Sequence, residues 1–464
     1  MAIPASVQKV LDEWNVEYSV SEDADSRRAM TNTGFHAATE NLARVVFLKD
    51  GSSKVQVVIP SNRILDLNMI AHQLGRQFSA VSADELVKIK RQLGLDDFPA
   101  LPQLTRLESL IDRSLLDYDE LFIQSGHGIQ RLCLPTDQFK ALTTSSHVGH
   151  FTVPIQIDVH FNDGQADLED INGAVRQFTP LRIQQRLQDT LDLPPLPETA
   201  RKIIEMRIDP DADTINLARA IETDPSISAQ VMSWARSPYY RSRGNINTVE
   251  EAVLRVLGFD LVMNLALGLA LGRTLNVPRE GPHGYSPFWQ QAVMGAALAS
   301  ELARKIKGKH KPDSGLVYLS GLLHNFGFLI LGQVFPPQFS LINRHMEANP
   351  HINRMYIERY LLGLCREQIA GELLQQWNLP NECVVAIRQQ HNPDYNAEHC
   401  TYSRILYVTT RALRQRGYGD GPAEAISEEV LEQLGLDQAM VDEVADELVN
   451  QIGELSEMVS ALSA

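Results

Sequence analysis

Apolar positions along the chain repeat with two periods in the first part and with essentially one in the second. Val7, Val10, Leu11 and Trp14 recur at helical spacing and predict a helix over residues 6–14. β-Branched runs at 44–49 and 55–59, separated by Asp50-Gly51-Ser52-Ser53, predict a hairpin. Helical spacing returns over 62–73 and 83–93. Strand patterns at 121–124 and 129–134 then flank the turn Ser125-Gly126-His127-Gly128. From 143 to 184 the pattern fades. Only 153–159 reads as a strand, and Asn162-Asp163-Gly164 and Asn172-Gly173 read as turns. After Leu193-Pro194-Pro195-Leu196-Pro197 the periodicity becomes helical throughout.

Local chemistry sharpens several of these helices. Asp224-Pro225 sets a capping carboxylate before a proline at the first helical position. Thr248 and Glu251 form a capping box, and Gly258 closes that helix. Further helices are predicted over 288–306, 316–331, 357–377, 382–390, 402–415, 427–434 and 438–455. The chain is therefore a multidomain α+β protein, with a mixed strand-and-helix part followed by an all-α part.

Composition places limits on this architecture. With 464 residues the chain exceeds one ordinary core, and 44% hydrophobic and 22% charged residues are those of a globular protein. A net charge of −16 argues against non-specific binding to nucleic acid or anionic lipid. The basic run 305–311 reads as a solvated loop, with anion binding as the alternative. Apolar runs are interrupted short of membrane-spanning length, and residues 1–13 lack a signal-peptide pattern, so no membrane role and a cytoplasmic location are expected. Cys133, Cys365, Cys383 and Cys400 form no C-x-x-C pair and read as reduced, buried thiols.

Several ordered motifs mark residues of about 190–400. After the Leu193–Pro197 segment come Ile221-Glu222-Thr223-Asp224-Pro225, Val249-Glu250-Glu251-Ala252-Val253, Leu323-His324-Asn325-Phe326-Gly327, Trp377-Asn378-Leu379-Pro380 and Gln390-His391. As a set they resemble the HDOD family, signalling relatives of the HD metal-phosphohydrolases. The resemblance implies a helical bundle in which histidines and a His-Asp doublet would converge on divalent metal. Here the doublet is His324-Asn325, and the other ligand positions carry Gln291, Arg366 and the pair Gln390-His391. Asparagine offers only a neutral carbonyl, and a guanidinium repels a cation. No metal and no other cofactor are expected, a low-affinity divalent ion at His324 and His391 remaining open. Convergence of both histidines with Asp313 or Glu358 would revive a metal site.

The first part resembles the YbaK-like aminoacyl-tRNA deacylases, related to prolyl-tRNA editing domains. The resemblance rests on Ala43-Arg44-Val45-Val46-Phe47-Leu48, Val57-Val58-Ile59-Pro60-Ser61-Asn62-Arg63-Ile64-Leu65-Asp66-Leu67 and Leu121-Phe122-Ile123-Gln124-Ser125-Gly126. It implies an α/β domain with a mixed sheet and an essential lysine in the first strand, where this chain has Arg44. Arginine stays charged and is not a tunable donor. Arg44, Asp66 and Gly126 are candidate ligand-binding residues. Arg44 either grips a carboxylate or phosphate or pairs with an acid such as Asp66.

The expected organisation is 1–142 YbaK-like, 143–190 a connector with some strand, 191–400 HDOD, and 401–464 a helical extension packed on the bundle. No catalytic residue is expected. The expected function is that of a cytoplasmic bacterial signalling protein, a pseudoenzyme in both domains, acting on a signalling partner or small ligand. Nucleic acid enters only as a tRNA-related ligand. The alternatives are a residual aminoacyl-tRNA deacylase at Arg44, a metal-dependent phosphohydrolase at His324, or a scaffold with both pockets filled.

Overall fold

The computed structural model describes residues 3–21, 41–127, 130–155, 164–178, 196–209, 211–237, 240, 246–275, 282, 286–307 and 311–452. Residues 193–195, 128–129, 156–163, 308–310 and 453–455, on which parts of the proline segment, two turns, a strand, the basic run and the last helix were placed, lie outside them. Contacts divide the chain into two compact units. One gathers described residues of Met1–Asp158 with Ser340–Leu361, and the other those of Val159–Glu280, Ser286–Phe339 and Leu362–Ala464.

Among its described residues the first unit contains ten strands: β1 (Ser19–Ser21), β2 (Ala43–Lys49), β3 (Lys54–Pro60), β4 (Arg63–Leu65), β5 (Ser79–Ala80), β6 (Glu108–Asp112), β7 (Glu120–Gln124), β8 (Arg131–Pro135), β9 (His147–Gly149) and β10 (Thr152–Pro154). Five form a mixed sheet in the order β5-β2-β3-β6-β9. β2 and β3 pair antiparallel from Ala43↔Pro60 to Lys49↔Lys54 across the predicted turn, and β3, β6 and β9 run parallel. Asp50 holds that turn by accepting from Ser52 N–H and Ser53 N–H. Both faces of β3 are buried, which explains why Val55, Val57, Val58 and Ile59 read as an apolar run interrupted only by the buried Gln56. β7 and β8 form the second predicted hairpin, with β1 added antiparallel to β8.

One helix prediction in this unit needs correction. Residues 62–73 are not one helix, because Arg63–Leu65 pairs with Thr152–Pro154 and the helix runs Leu67–Leu74. The side chain of Asp66 starts that helix by accepting from Asn68 N–H and Met69 N–H. Two apolar residues, Ile64 and Leu65, before a capping carboxylate carry too little periodicity to separate a short strand from a helical turn.

The second unit is helical, as the periodicity indicated. Asp224 caps Pro225–Arg236 through Ser226 N–H and Ile227 N–H, and Thr248 caps Val249–Ala252 through Glu251 N–H. The Asn172-Gly173 turn is overruled, since both residues lie within the Gly164–Phe178 helix, whose Ile171, Ala174 and Val175 are buried. Helices Glu198–Ile208 and Phe259–Thr274 were not singled out from sequence, nor was Pro336–Ala348, which runs from this unit into the first. Two predicted long helices are each broken. Residues 316–331 divide into Ser314–Leu323 and Phe326–Val334 at His324-Asn325, and 357–377 divides into Arg354–Leu362 and Arg366–Gln376. Gly363 makes the second break at φ 80°, a conformation that glycine enters without strain.

The 314–334 stretch is also the one segment among the described residues long and apolar enough to cross a membrane, and 94% of its apolar window is buried in the protein. Phe288–Lys305 packs on Ser314–Leu323 through glycines, because a Cβ on Gly321 would stand 2.6 Å from Ala296 Cα and 2.7 Å from Gly295 O. The close crossing sets His324 against Gly295, where an added Cβ would lie 2.9 Å from His324 Nδ1. All four cysteines are free, as read. Cys365 and Cys383 are buried, whereas Cys133 and Cys400 are only partly so.

Candidate functional site

The break at His324-Asn325 turns both side chains inward, and they are 8% and 2% exposed. His324 Nδ1 lies 2.7 Å from Gly321 O, closing the end of its own helix, and Gln390 Nε2 donates to His324 O at 2.8 Å. Asn325 uses both ends of its amide. Its Nδ2 donates to Gln291 Oε1 at 3.0 Å, and its Oδ1 accepts from Arg366 at 2.8 Å. Gln291 in turn donates to Ser286 O at 2.6 Å.

Arg366 is the hub of this arrangement. Its guanidinium is 2% exposed at the side chain, bonds Asp420 Oδ2 at 2.8 Å and lies 5.2 Å from the Phe328 ring centroid. Arg414 reaches the other Asp420 oxygen at 3.3 Å. Gly419 and Gly421 permit this loop to close on Arg414, since a Cβ on either would stand 2.8 or 3.0 Å from that side chain. Next to Arg366, the buried Glu367 stands 3.3 Å from His391 Nε2. Further along the same helix, Gln368 donates to Asp167 at 2.8 Å, and Asp167 also pairs with Arg388.

Gln291, His324, Asn325, Arg366 and His391, the five positions singled out from the sequence, therefore gather in one polar core, linked through Asn325, Arg366 and the helix ends. Their chemistry does not fit a divalent metal. The doublet's only oxygen donor is committed to a guanidinium, which would repel a cation at the same place. Among the described residues no group of three or more His, Cys, Asp and Glu side chains is placed to hold a metal. Asp313 caps Ser314–Leu323 through Leu316 N–H, at the end of that helix opposite His324, and Glu358 belongs to the other compact unit. Sequence reasoning missed Asp420 and Arg414. The signal available was an acid inside the glycine-rich run Gly417-Tyr418-Gly419-Asp420-Gly421.

In the first unit Asp66 stands apart from the other two candidates, Arg44 and Gly126. Arg44 does not pair with Asp66 as one reading had it. The charges acting on Arg44 are Asp97, which favours its cation, and Arg131, which opposes it, while burial as the leading cause lowers its pKa. Gly126 belongs near Arg44 through the same loop, because Gly126 O accepts from Asp96 N–H and Asp97 N–H. At φ 96° and with Leu95 Cδ2 2.8 Å from an added Cβ, its glycine is a packing requirement.

Asp66 instead joins the Ser340–Leu361 segment to the sheet. It accepts from Tyr360 Oη at 2.5 Å and lies 3.4 Å from His345 Nε2, while Asn349 bonds both Leu65 N–H and Leu65 O. Burial raises the Asp66 pKa, but the hydrogen bonds from His345, Tyr360 and Asn68 N–H outweigh it and hold the carboxyl at about 2. The same segment brings His351 beside Arg44. Burial first, and then the Arg44 charge, drive the His351 pKa well down, against a nearby Arg63 backbone group. Arg44 Nε and Asn62 Oδ1 are buried without a hydrogen bond among the described residues, and the backbone of Arg63 is the polar group that acts on the buried His351 ring.

Residues 193–393 match the model of the HDOD domain. A crystal structure from Marinobacter aquaeolei VT8, provisionally described as a signal transduction protein, is 40% identical over 100% of both chains with a TM-score of 0.91. A relative of uncharacterized function from Treponema pallidum is 25% identical over 245 residues, so the chain spans 45% of that protein's length and 52% of its own. The first part is similar to a structure provisionally described as a trans-editing enzyme for prolyl tRNA synthetase. That likeness is slight, at 14% identity over 33% of this chain and 98% of the other, with a TM-score of 0.27.

Two outcomes are expected. Arg366→Met should destabilise the helical unit by about 3 kcal/mol, because it removes the guanidinium bonded to the buried Asp420 carboxylate. Guanidinium unfolding followed through Trp234, Trp289 and Trp377 measures this. Asp66→Asn should cost about 2 kcal/mol at neutral pH, from a carboxyl moved from 3.8 to about 2. Since the folded pKa is the lower one, that contribution is complete above the ordinary carboxylate range and is lost as pH falls toward 2. Urea titrations of both proteins at pH 7 and near pH 2 should therefore converge at the acid end. Sequence, polar core and full-length likeness together make this chain a member of the HDOD-domain family.

Proposed function

We propose that the chain is a bacterial cytoplasmic regulatory protein whose two enzyme-like sites bind a ligand or partner and turn over no substrate. The observation behind this reading is the Arg366 guanidinium bonded to Asn325 and Asp420. A phosphohydrolase needs a metal-bound water beside the doublet. Here a permanent cation already occupies the doublet's oxygen, and the charge is balanced from a loop outside the family-matched segment. The full-length likeness to a provisionally assigned signal transduction protein supports a signalling role.

In the YbaK-like unit, ligand binding without catalysis is favoured by the unsatisfied group around Arg44. A fixed cation at Arg44 and the neutral imidazole of His351 beside it offer both charge and hydrogen bonds to an entering polar group. A carboxylate or phosphate, including one from an aminoacyl or tRNA-related ligand, would satisfy it. Arg44 cannot act as the tunable lysine of an editing site.

The test combines elemental analysis of the purified protein with hydrolysis of bis(4-nitrophenyl) phosphate, with and without added manganese, and with deacylation of mischarged tRNA. No stoichiometric metal and no turnover above buffer are expected. Metal-dependent hydrolysis that disappears in His324→Ala, or deacylation that disappears in Arg44→Met, would overturn the reading.

A further inference from the structure

His345, in the Pro336–Ala348 helix, is 0% exposed, and both of its ring nitrogens face oxygens. Nδ1 lies 2.9 Å from Leu341 O, one turn back on the same helix, and a backbone carbonyl can only accept. Nε2 lies 3.4 Å from Asp66 Oδ1. That carboxylate already accepts from Asn68 N–H, Met69 N–H and the Tyr360 hydroxyl. These bonds favour its ionised form, so it too can only accept. A neutral imidazole carries one N–H and would set a bare nitrogen lone pair against one of the two oxygens. Only the imidazolium, with hydrogen on both nitrogens, satisfies both at once.

The ring sits where its segment is tied to the sheet. One turn further on, Asn349 Nδ2 donates to His345 O and to Leu65 O, and Asn349 Oδ1 accepts from Leu65 N–H. The amide thereby fills the donor and acceptor places that a neighbouring strand residue would take beside β4. Arg344, the adjacent cation, is engaged elsewhere, at Phe78 O. Among the described residues the titratable groups joined to the ring are Asp66, at the start of Leu67–Leu74, and, through it, Tyr360 in Arg354–Leu362. Burial and the Asp66 carboxylate raise the Tyr360 pKa, so that hydroxyl keeps its proton across the neutral range.

We propose that His345 is an imidazolium in the folded protein and that its proton locks the Ser340–Leu361 segment against β4 and the Leu67–Leu74 helix, which makes the docking of that segment pH-dependent. A ring charge held more firmly in the docked state than in the released one stabilises docking at low pH. That contribution is lost as rising pH removes the ring proton. At the acid end it lasts until Asp66 is protonated, toward pH 2. Release of the segment would carry His351 away from Arg44, so the polar group there follows the His345 proton. The lock itself needs no ligand at that group.

Hydrogen exchange of the full chain at pH 6 and pH 9, read by mass spectrometry over peptides from residues 340–361 and corrected for the intrinsic pH dependence of exchange, tests this. Protection should be severalfold lower at pH 9. His345→Gln, which cannot ionise, should abolish the difference between the two pH values, and Asp66→Asn should do so independently if the first variant does not fold. Tyr360→Phe should lower protection at both pH values and preserve the difference. In ¹⁵N-histidine NMR at pH 7.5, where an exposed histidine is largely neutral, the His345 ring should carry hydrogen on both nitrogens. The proposal is overturned if protection is equal at both pH values, if the difference survives in His345→Gln or Asp66→Asn, or if the His345 ring is neutral at pH 7.5.

Discussion

The helical unit depends on one buried cation. Arg366 is almost completely removed from water, a state that a guanidinium reaches only when its charge and donors are met. Asn325, Asp420 and the Phe328 ring meet them. The consequences spread outward. Asn325 leaves the helical path to reach Arg366, which breaks one helix. The Gly417–Gly421 run must close over Asp420, which ties the C-terminal extension to the family domain. Remove the cation, and the carboxylate and amide around it lose their reason for being buried.

The first unit has a comparable constraint of opposite sign. Asp66 is a buried carboxylate that caps one helix and accepts from Tyr360, a residue that lies far along the chain inside the family-matched segment. The Ser340–Leu361 helices thus complete the α/β unit even though they lie in the sequence of the helical one. They also bring His351 to Arg44, so the polar group around the candidate ligand site draws on both sequence regions.

Periodicity and local chemistry made much of the fold legible. The β2–β3 hairpin, its Asp50 turn and the caps at Asp224 and Thr248 are short-range features, fully determined by neighbouring residues. The helix breaks at His324-Asn325 and near Gly363 were not legible, because apolar spacing continues through both and tertiary hydrogen bonds decide the outcome. The same holds for the site. Gln291, His324, Asn325, Arg366 and His391 could be named from motif order, but Asp420 could not, since its pairing joins segments with no shared pattern. Arg44 was legible as a cation in a strand, whereas its distance from Asp66 and its closeness to His351 required the fold.

The central claim is the proposal that the Arg366 guanidinium holds the His324-Asn325 doublet without a metal. The most direct measurement is a crystal structure grown with excess manganese, with anomalous scattering recorded at the manganese edge. The account predicts no anomalous peak near His324, Asn325 or His391, with Arg366 bonded to Asn325 and Asp420. An anomalous peak ligated by His324 or His391, with Arg366 displaced, would contradict it.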